Sequence, residues 1–325
     1  MKLESLLEKI IETPEEKTLQ VNQIDGYNNY SIGIDSNNNI SFLISFSDLF
    51  SEDYKSPYNG NNLYINFNFT GKVKVGDVLK NENFILLQLK NNDENFSKIF
   101  LNICETIILK LGANPTYVNS RDYIFSLKDL FLKFSKKPTK TEIGLWGELA
   151  TIFFSNNSES LINSWHVSGK EIFDFNFEKL KIEVKSTKKS IRIHSIKHTQ
   201  FIKLKKIDGI YLSFLLLETD NGKSCIELFN LISADLNSNS REIFTEKLIE
   251  CVGNNLDSFN HRFDLNYGEV NLEPYTAKVI DYINEINLSP NISNVSYDLN
   301  FESYTRIEDE DNNVELFSLF PQLIH

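Results

Sequence analysis

The sequence predicts a mixed α/β (α+β) fold with a β-rich N-terminal region, a central mixed sheet flanked by helices, and a mainly helical C-terminal region. Between residues 20 and 90, apolar and polar side chains alternate in several short runs, which is typical of half-buried antiparallel strands. Residues 141–217 then follow the order helix, three strands, helix, strand. After residue 220, apolar residues recur mainly at helical spacing.

The N-terminal region begins with an amphipathic helix over residues 1–12 and ends at a basic linker. Its strands are predicted where the alternation has a period of two, and its later helices where apolar residues recur every three or four positions. The predicted strands cover 30–35, 40–46, 63–69 and 84–89, and the predicted helices cover 96–111 and 126–134. The linker occupies 136–140, so we place a β-rich first domain with helices at 1–135.

The central and C-terminal parts contain the remaining predicted elements. In the centre we predict helices at 141–154 and 196–205, the second with Ser195 as its N-cap, and strands at 171–177, 181–187, 190–194 and 209–217. Beyond them we predict helices at 226–236, 241–252 and 275–286 and a strand at 295–299. This pattern divides the rest of the chain into a core domain at 136–220 and a mainly helical region at 221–325.

Composition excludes several classes of protein. No stretch approaches the roughly 20 apolar residues that span a bilayer, and the N-terminus lacks a secretory apolar core, so we expect no membrane contact and a cytoplasmic location. Cys104, Cys225 and Cys251 lack disulfide or zinc spacing and are predicted to be buried free thiols. The run at 222–224 copies the end of a P-loop without its first glycine, which argues against ATP hydrolysis.

The charge distribution bears on nucleic-acid binding. The net charge of −12 argues against binding by bulk attraction, so affinity for phosphates requires a local basic patch. Such a patch lies between residues 179 and 206, where Glu183 is the only acidic residue. Its cations are Lys179, Lys181, Lys185, Lys188, Lys189, Arg192, Lys197, Lys203, Lys205 and Lys206, accompanied by His194 and His198. A run of this kind is also typical of a solvated face, so the patch alone does not decide its role.

A pair of acidic residues and a lysine in this segment could support metal chemistry. On a strand, Glu183 and Lys185 project from one face about 7 Å apart, while Ile182 and Val184 project from the other. An alternating run around Asp174 precedes this strand, and a hairpin would bring Asp174 close to Glu183. Two carboxylates can hold Mg²⁺, and a lysine beside them can stabilise charge that develops on a phosphate. A solvated strand face with an ion pair also explains Glu183 and Lys185.

A series of motifs surrounds this triplet. The chain reads Gly-Leu-Trp-Gly-Glu-Leu at 144–149, Phe-Asp-Phe at 173–175 and Ile-Glu-Val-Lys-Ser-Thr at 182–187. The series also includes Trp165, Arg192, His194, Ser195 and Gln200. It resembles a prokaryotic family of PD-(D/E)xK proteins, of the restriction-endonuclease-like superfamily, associated with restriction-modification and phage-defence loci. The resemblance extends more loosely over most of the chain. Phe173 stands where the superfamily's name has proline, a departure that the superfamily often shows.

The resemblance implies a restriction-endonuclease-like core and a role for each residue of the motifs. Asp174 and Glu183 would bind Mg²⁺, for which Mn²⁺ could substitute, with the Val184 carbonyl as a further ligand. Lys185 would be the catalytic lysine, and Glu148 an additional catalytic acid on the preceding helix. The predicted catalytic residues are therefore Glu148, Asp174, Glu183, Lys185 and Gln200. For Gln200, an ordinary polar residue on a helix is an equal alternative.

Glycine and aromatic residues add to this prediction. Gly144 and Gly147 each cost a helix roughly 1 kcal/mol relative to alanine, so two glycines beside Glu148 indicate the close approach of another element. A solvated glutamate is the alternative for Glu148. Trp146 and Trp165 are interpreted as core residues rather than as surfaces for base stacking.

The sequence therefore predicts a Mg²⁺-dependent DNA endonuclease of a restriction or phage-defence system. The predicted DNA contacts are Lys188, Lys189, Arg192 and His194. A methyltransferase, other defence-system subunits and a second copy of the chain are further candidate partners. Two alternatives stay open: a catalytically inactive DNA-binding or scaffold subunit, and a nuclease that acts on RNA or branched DNA.

Overall fold

The chain forms two compact units. A computed structural model describes residues 3–10, 19–46, 55–75, 78–90, 93–134, 136–167, 173–207, 209–281, 291–292, 294–308 and 313–323. The first unit contains Met1–Lys137 and Asn237–Ile249, and the second contains Pro138–Leu236 and Glu250–His325. The three-part division, with limits after residues 135 and 220, stays a prediction. The mixed α/β class is confirmed by the sheets and helices of the two units.

The first unit is built on a sheet whose strands close into a ring. Its strands are β1 (Leu19–Ile24), β2 (Tyr27–Asp35), β3 (Ile40–Ser45), β4 (Tyr58–Asn59), β5 (Leu63–Val75) and β6 (Val78–Leu89). They pair in the order β1-β2-β3-β6-β5-β4, and β1 also pairs with β5 in parallel. The side chains of Ile32, Phe42 and Ile65 are fully buried. The strands predicted from alternation are confirmed here.

Helices complete the first unit. They are α1 (Leu3–Leu7), α2 (Glu94–Leu111) and α3 (Tyr117–Lys133). Gly112 has a φ of 73°, which only glycine adopts readily, at the end of α2. The third helix begins nine residues before the predicted start at 126, because the Thr116 side chain caps it by accepting a hydrogen bond from the Asn119 N–H. Residues 1–2 and 11–12 of the predicted first helix lie outside the described residues.

The second unit contains a mixed sheet of four described strands with helices packed against it. Its elements, with one helix shared between the units, are α4 (Glu142–Phe154), α5 (Ser158–Ser164), β7 (Phe175–Asn176), β8 (Lys181–Thr187), β9 (Ile193–Lys197), α6 (His198–Lys206), β10 (Ile210–Leu215), β11 (Glu218–Lys223), α7 (Cys225–Ala234), the shared α8 (Ser238–Val252), α9 (Leu265–Val270), β12 (Leu272–Thr276), β13 (Ser296–Asn300) and α10 (Val314–Leu319). The order in the sheet is β12-β10-β8-β7, and β8 runs parallel to β10. The α4 helix packs on both β8 and α7.

Two predictions for this unit are wrong. The predicted helix at 275–286 is, over its described part, the end of β12 and a set of turns, because Leu272–Thr276 pairs with the buried strand β10. Residues 282–286 of that prediction lie outside the described residues. Ser195 does not cap α6, because β9 continues to Lys197 through its pairing with β13, and α6 begins at His198 without a side-chain cap.

Helix character and cysteine state were also predicted from the sequence. Among the described residues, no helix has both the length and the apolar character needed to cross a bilayer. Cys104, Cys225 and Cys251 are each buried and free. The predicted state of the cysteines is therefore confirmed.

Candidate active site

The α4 helix carries Glu148 and lies very close to β8. A Cβ atom at Gly147 would lie 1.9 Å from the Ser186 Oγ and 3.2 Å from the Ser186 Cβ. Only a residue without a Cβ allows this approach with the neighbouring atoms in place. The close contact predicted from the glycines is therefore confirmed at Gly147. At Gly144, an added Cβ would meet only the Thr141 Oγ1, at 3.2 Å.

The strands β7 and β8 form the predicted hairpin, which places Asp174 beside β8. Phe175 pairs with Ile182 across the hairpin, and residues 177–180 form the turn. Asp174 is buried directly before β7. Its Oδ2 accepts a hydrogen bond of 2.9 Å from the Val184 backbone N–H. The hairpin therefore joins Asp174 to the strand that carries Glu183.

Glu183 and Lys185 form an enclosed ion pair on β8. The Lys185 Nζ donates to the Glu183 Oε1 over 2.6 Å, and the two side chains are only 19% and 4% exposed, respectively. The Glu183 Oε2 is buried and has no hydrogen-bond partner among the described residues. Leaving a buried carboxylate oxygen without a donor is costly. This oxygen is therefore the best-placed atom of the site for binding a cation.

Lys140 joins two of the acids, a role that was not predicted from the sequence. Its Nζ donates to the Glu148 Oε1 and to the Asp174 Oδ1, each over 2.7 Å. The sequence predicts only a linker for the basic segment 136–140. The available signal was the position of Lys140 directly before Thr141, the N-cap of the helix that carries Glu148.

Trp165 provides a second donor to Glu148. Its Nε1–H donates to the Glu148 Oε2 over 2.6 Å, and the indole is fully buried. Trp146 is also fully buried, and its Nε1–H donates to the Lys223 carbonyl over 2.8 Å. Both tryptophans are core residues as predicted, and Trp165 in addition orients a carboxylate.

Burial and neighbouring charges shift the pKa values of Glu148, Glu183, Lys140 and Lys185. Burial, and then the Asp174 carboxylate, raise the pKa of Glu148 to about 8 and that of Glu183 to about 7. Burial lowers the pKa of Lys140 and of Lys185, but the neighbouring carboxylates outweigh it, so each lysine pKa lies above its ordinary value. Both lysines therefore stay cationic, and a further cation at the carboxylates would favour their ionised form.

The donor set fits a hard divalent cation that keeps part of its water shell. Asp174 and Glu183 offer carboxylate oxygens, and the Val184 carbonyl lies on the same strand as Glu183. Mg²⁺ is commonly held by one or two carboxylates, with water and substrate completing its shell. Within the described residues, no group of three or more His, Cys, Asp or Glu side chains is arranged to hold a metal ion. The fit therefore rests on two carboxylates and on the uncovered Glu183 Oε2.

Two predicted DNA contacts are buried in this structure. The Arg192 Nε lies 2.8 Å from the Glu273 Oε2, and its Nη1 donates to the Ser213 carbonyl over 2.9 Å. The His194 Nε2 lies 2.7 Å from the Ser213 Oγ. These contacts join the region of β9 to β10 and β12. A phosphate contact by Arg192 or His194 stays a prediction, and it requires these side chains to become exposed.

The remaining predicted residues lie around this core. Lys188 and Lys189 are exposed after the end of β8, and the Lys188 Nζ lies 2.9 Å from the Glu218 Oε2. Gln200 is half-buried in the first turn of α6. The roles of these three residues stay predictions.

Comparison with known proteins gives one family. A family model described as "Putative PD-(D/E)XK family member, (DUF4420)" matches residues 5–302. No curated protein and no solved structure gives a significant match to the chain.

Proposed function

Since the chain belongs to the DUF4420 family, which places it in the PD-(D/E)XK superfamily, we propose that it is a Mg²⁺-dependent DNA endonuclease. One observation carries this proposal. Four residues chosen from the sequence, Glu148, Asp174, Glu183 and Lys185, lie in one buried cluster. Asp174 bonds to the backbone of β8 between Glu183 and Lys185, and Lys140 links Asp174 to Glu148.

The proposed ligands are Asp174, Glu183 and the Val184 carbonyl. A bound Mg²⁺ or Mn²⁺ would supply positive charge at the scissile phosphate and would lower the pKa of water. The free Oε2 of Glu183 supports this assignment, since its other oxygen already accepts from Lys185. Asp174 keeps acceptor capacity as well, because each carboxylate oxygen can accept two interactions.

The other residues would act on charge and orientation. Lys185 stays cationic beside Glu183, so it would donate a hydrogen bond to a non-bridging phosphate oxygen as negative charge develops there. Glu148 is held at both oxygens, by Lys140 and Trp165, so it would orient the attacking water. Water would lose a proton as its oxygen bonds to phosphorus, the bond from phosphorus to the 3′ oxygen would break, and the leaving oxygen would take up a proton, so that one water is consumed for each bond cleaved. The products would be 5′-phosphate and 3′-hydroxyl ends.

The wider setting of this activity follows from the sequence resemblance. We propose a role in a restriction or phage-defence system in the cytoplasm, with a methyltransferase, other subunits of that system or a second copy of the chain as partners. Exposed Lys188 and Lys189 are the proposed phosphate contacts that are accessible in this structure. Unmodified DNA is therefore the first substrate to test.

The decisive experiment is cleavage of unmodified supercoiled plasmid by the wild type, Lys185→Ala and Lys179→Ala, each with Mg²⁺ and with EDTA. Lys179 is an exposed lysine of the same basic segment and serves as the control. We expect Mg²⁺-dependent nicking or linearisation by the wild type and by Lys179→Ala. We expect a loss of at least about 100-fold in Lys185→Ala, the scale of removing one group that stabilises a transition state.

Other results would change the proposal. Unchanged cleavage by Lys185→Ala would contradict the assignment of the catalytic lysine. Cleavage of RNA or branched DNA instead of plasmid would change the substrate and keep the site. If all these substrates stay intact, alone and with the products of neighbouring genes, the chain is a binding or scaffold subunit.

A further inference from the structure

Lys140 occupies a position that a divalent cation could otherwise take. Its ammonium group lies 2.7 Å from one oxygen of Glu148 and 2.7 Å from one oxygen of Asp174. A cation between two carboxylates neutralises their mutual repulsion, which in a buried setting is large. Lys140 therefore neutralises the repulsion between these two carboxylates, as a metal ion bound to both would.

The backbone around Lys140 is anchored on both sides. The Thr139 N–H donates to the Cys251 carbonyl over 3.0 Å, and the Thr139 hydroxyl donates to the Glu250 carbonyl over 3.2 Å. On the other side, Thr141 begins α4 as its N-cap. The Lys140 side chain is only 20% exposed. The ammonium group is therefore held in a fixed position within the site, unlike that of an exposed surface lysine.

The hydrogen bonds also divide the site into a filled side and an open side. Glu148 has a donor at each oxygen, from Lys140 and Trp165. Asp174 likewise has one at each oxygen, from Lys140 and the Val184 N–H. On Glu183, in contrast, Oε2 has no partner among the described residues. Capacity for a further cation therefore lies on the side of Glu183.

We propose that Lys140 is a built-in substitute for a second divalent ion, so that the site binds a single ion, between Asp174 and Glu183. The inference rests on the proposed function, because it concerns the metal of that same site. Lys140 acts as a positioning residue: it holds Glu148 and Asp174 together and keeps one oxygen of each carboxylate bonded to its own ammonium group. Removal of its charge would leave two buried carboxylates facing one another, and a second divalent ion would then bind between them.

The test is the number of Mn²⁺ ions bound per chain, measured by titration calorimetry and by electron paramagnetic resonance of free Mn²⁺. The wild type and Lys137→Met, which removes an exposed lysine of the same segment, are expected to bind one ion. Lys140→Met is expected to bind two. The double variant Lys140→Met with Glu148→Gln is expected to bind one again, because the second ion loses a ligand. Lys140→Arg keeps the charge and is expected to bind one.

The outcomes separate this inference from the proposed function. Two outcomes would overturn the role of Lys140 alone: two ions bound by the wild type, or one ion bound with unchanged affinity by folded Lys140→Met. Both require that the single variant Asp174→Asn no longer binds Mn²⁺, which shows that the ion counted is the one at the proposed site. No Mn²⁺ binding by the wild type would overturn both proposals. Circular dichroism checks the folding of each variant. If Lys140→Met does not fold, the number of ions bound by the wild type and by Lys140→Arg tests the role of Lys140: one ion in each is expected, and two ions in either would overturn it.

Discussion

The contact between α4 and β8 makes Gly147→Ala the most informative single substitution. The new Cβ would lie 1.9 Å from the Ser186 Oγ, whereas real Cβ contacts do not come closer than about 3.0 Å. The serine must therefore rotate or the helix must move by about 1 Å. Rotation of the serine would still leave the Ser186 Cβ and the Val184 Cγ1 at 3.2 Å from the new Cβ, which is tighter than most Cβ contacts in proteins.

The magnitude follows from comparing Gly147→Ala with Gly144→Ala in the same helix. Each substitution improves helix propensity by roughly 1 kcal/mol, so this contribution cancels in the difference. Overpacking of a filled site costs about 1–3 kcal/mol. Gly147 carries most of that cost, because the nearest atom to an added Cβ lies at 1.9 Å there and at 3.2 Å at Gly144. We therefore expect the free energy of unfolding of Gly147→Ala to be about 1–3 kcal/mol below that of Gly144→Ala.

Urea unfolding followed by tryptophan fluorescence measures this difference. Both tryptophans of the chain, Trp146 and Trp165, lie in the second unit, so the signal reports on the unit that contains the contact. Adding Ser186→Ala to Gly147→Ala should recover part of the loss, because it removes the nearest atom. Plasmid cleavage should also fall, by up to about 100-fold if the helix moves by 1 Å. Equal stability of the two alanine variants would refute the close packing of α4 on β8.

Two further predictions concern buried polar groups. Trp165→Phe removes the donor to the Glu148 Oε2. It should lower the free energy of unfolding by about 1–3 kcal/mol, the cost of an unsatisfied buried acceptor. Urea unfolding followed by circular dichroism measures this change, and an unchanged unfolding midpoint would contradict the hydrogen bond. Burial, and then the nearby cations Lys185 and Arg192, lower the pKa of His194 from 6.5 to about 3. Below pH 6.5 the unfolded chain therefore binds a proton that the native chain does not, so the free energy of unfolding should fall as the pH drops from 6.5 towards 4. Urea titrations should show a shallower fall in His194→Gln, and identical slopes would contradict the low pKa.

Much of the site could be predicted because its pattern is local. The alternation around Asp174 and Glu183 predicted two strands. The short spacing between the strands predicted a hairpin, because a connection of only a few residues between two paired strands must be a turn. The glycine beside Glu148 predicted a close contact for a similar reason: its cost within a helix needs compensation by packing. The structure bears out the hairpin and the close contact.

The partners of the polar side chains could not be predicted in the same way. The sequence predicts only a basic linker around Lys140, whereas its side chain is bonded to Asp174, 34 residues away. The sequence predicts Arg192 as a DNA contact, but its guanidinium is paired with Glu273 of β12. A charged side chain gains or loses several kcal/mol according to its burial and partners, and nothing within its own segment records either.

By itself, the sequence determined the α/β class, most of the strands and helices, the hairpin, and the residue types that a metal-dependent phosphodiester reaction requires. Only the tertiary structure decided which cation faces which acid, which oxygen stays free, that residues 272–276 form a strand, and that Arg192 and His194 are buried. The physical reason is the separation along the chain of the residues that interact. Backbone conformation and apolar periodicity depend on neighbours along the chain, whereas burial and charge pairing depend on which distant elements pack together.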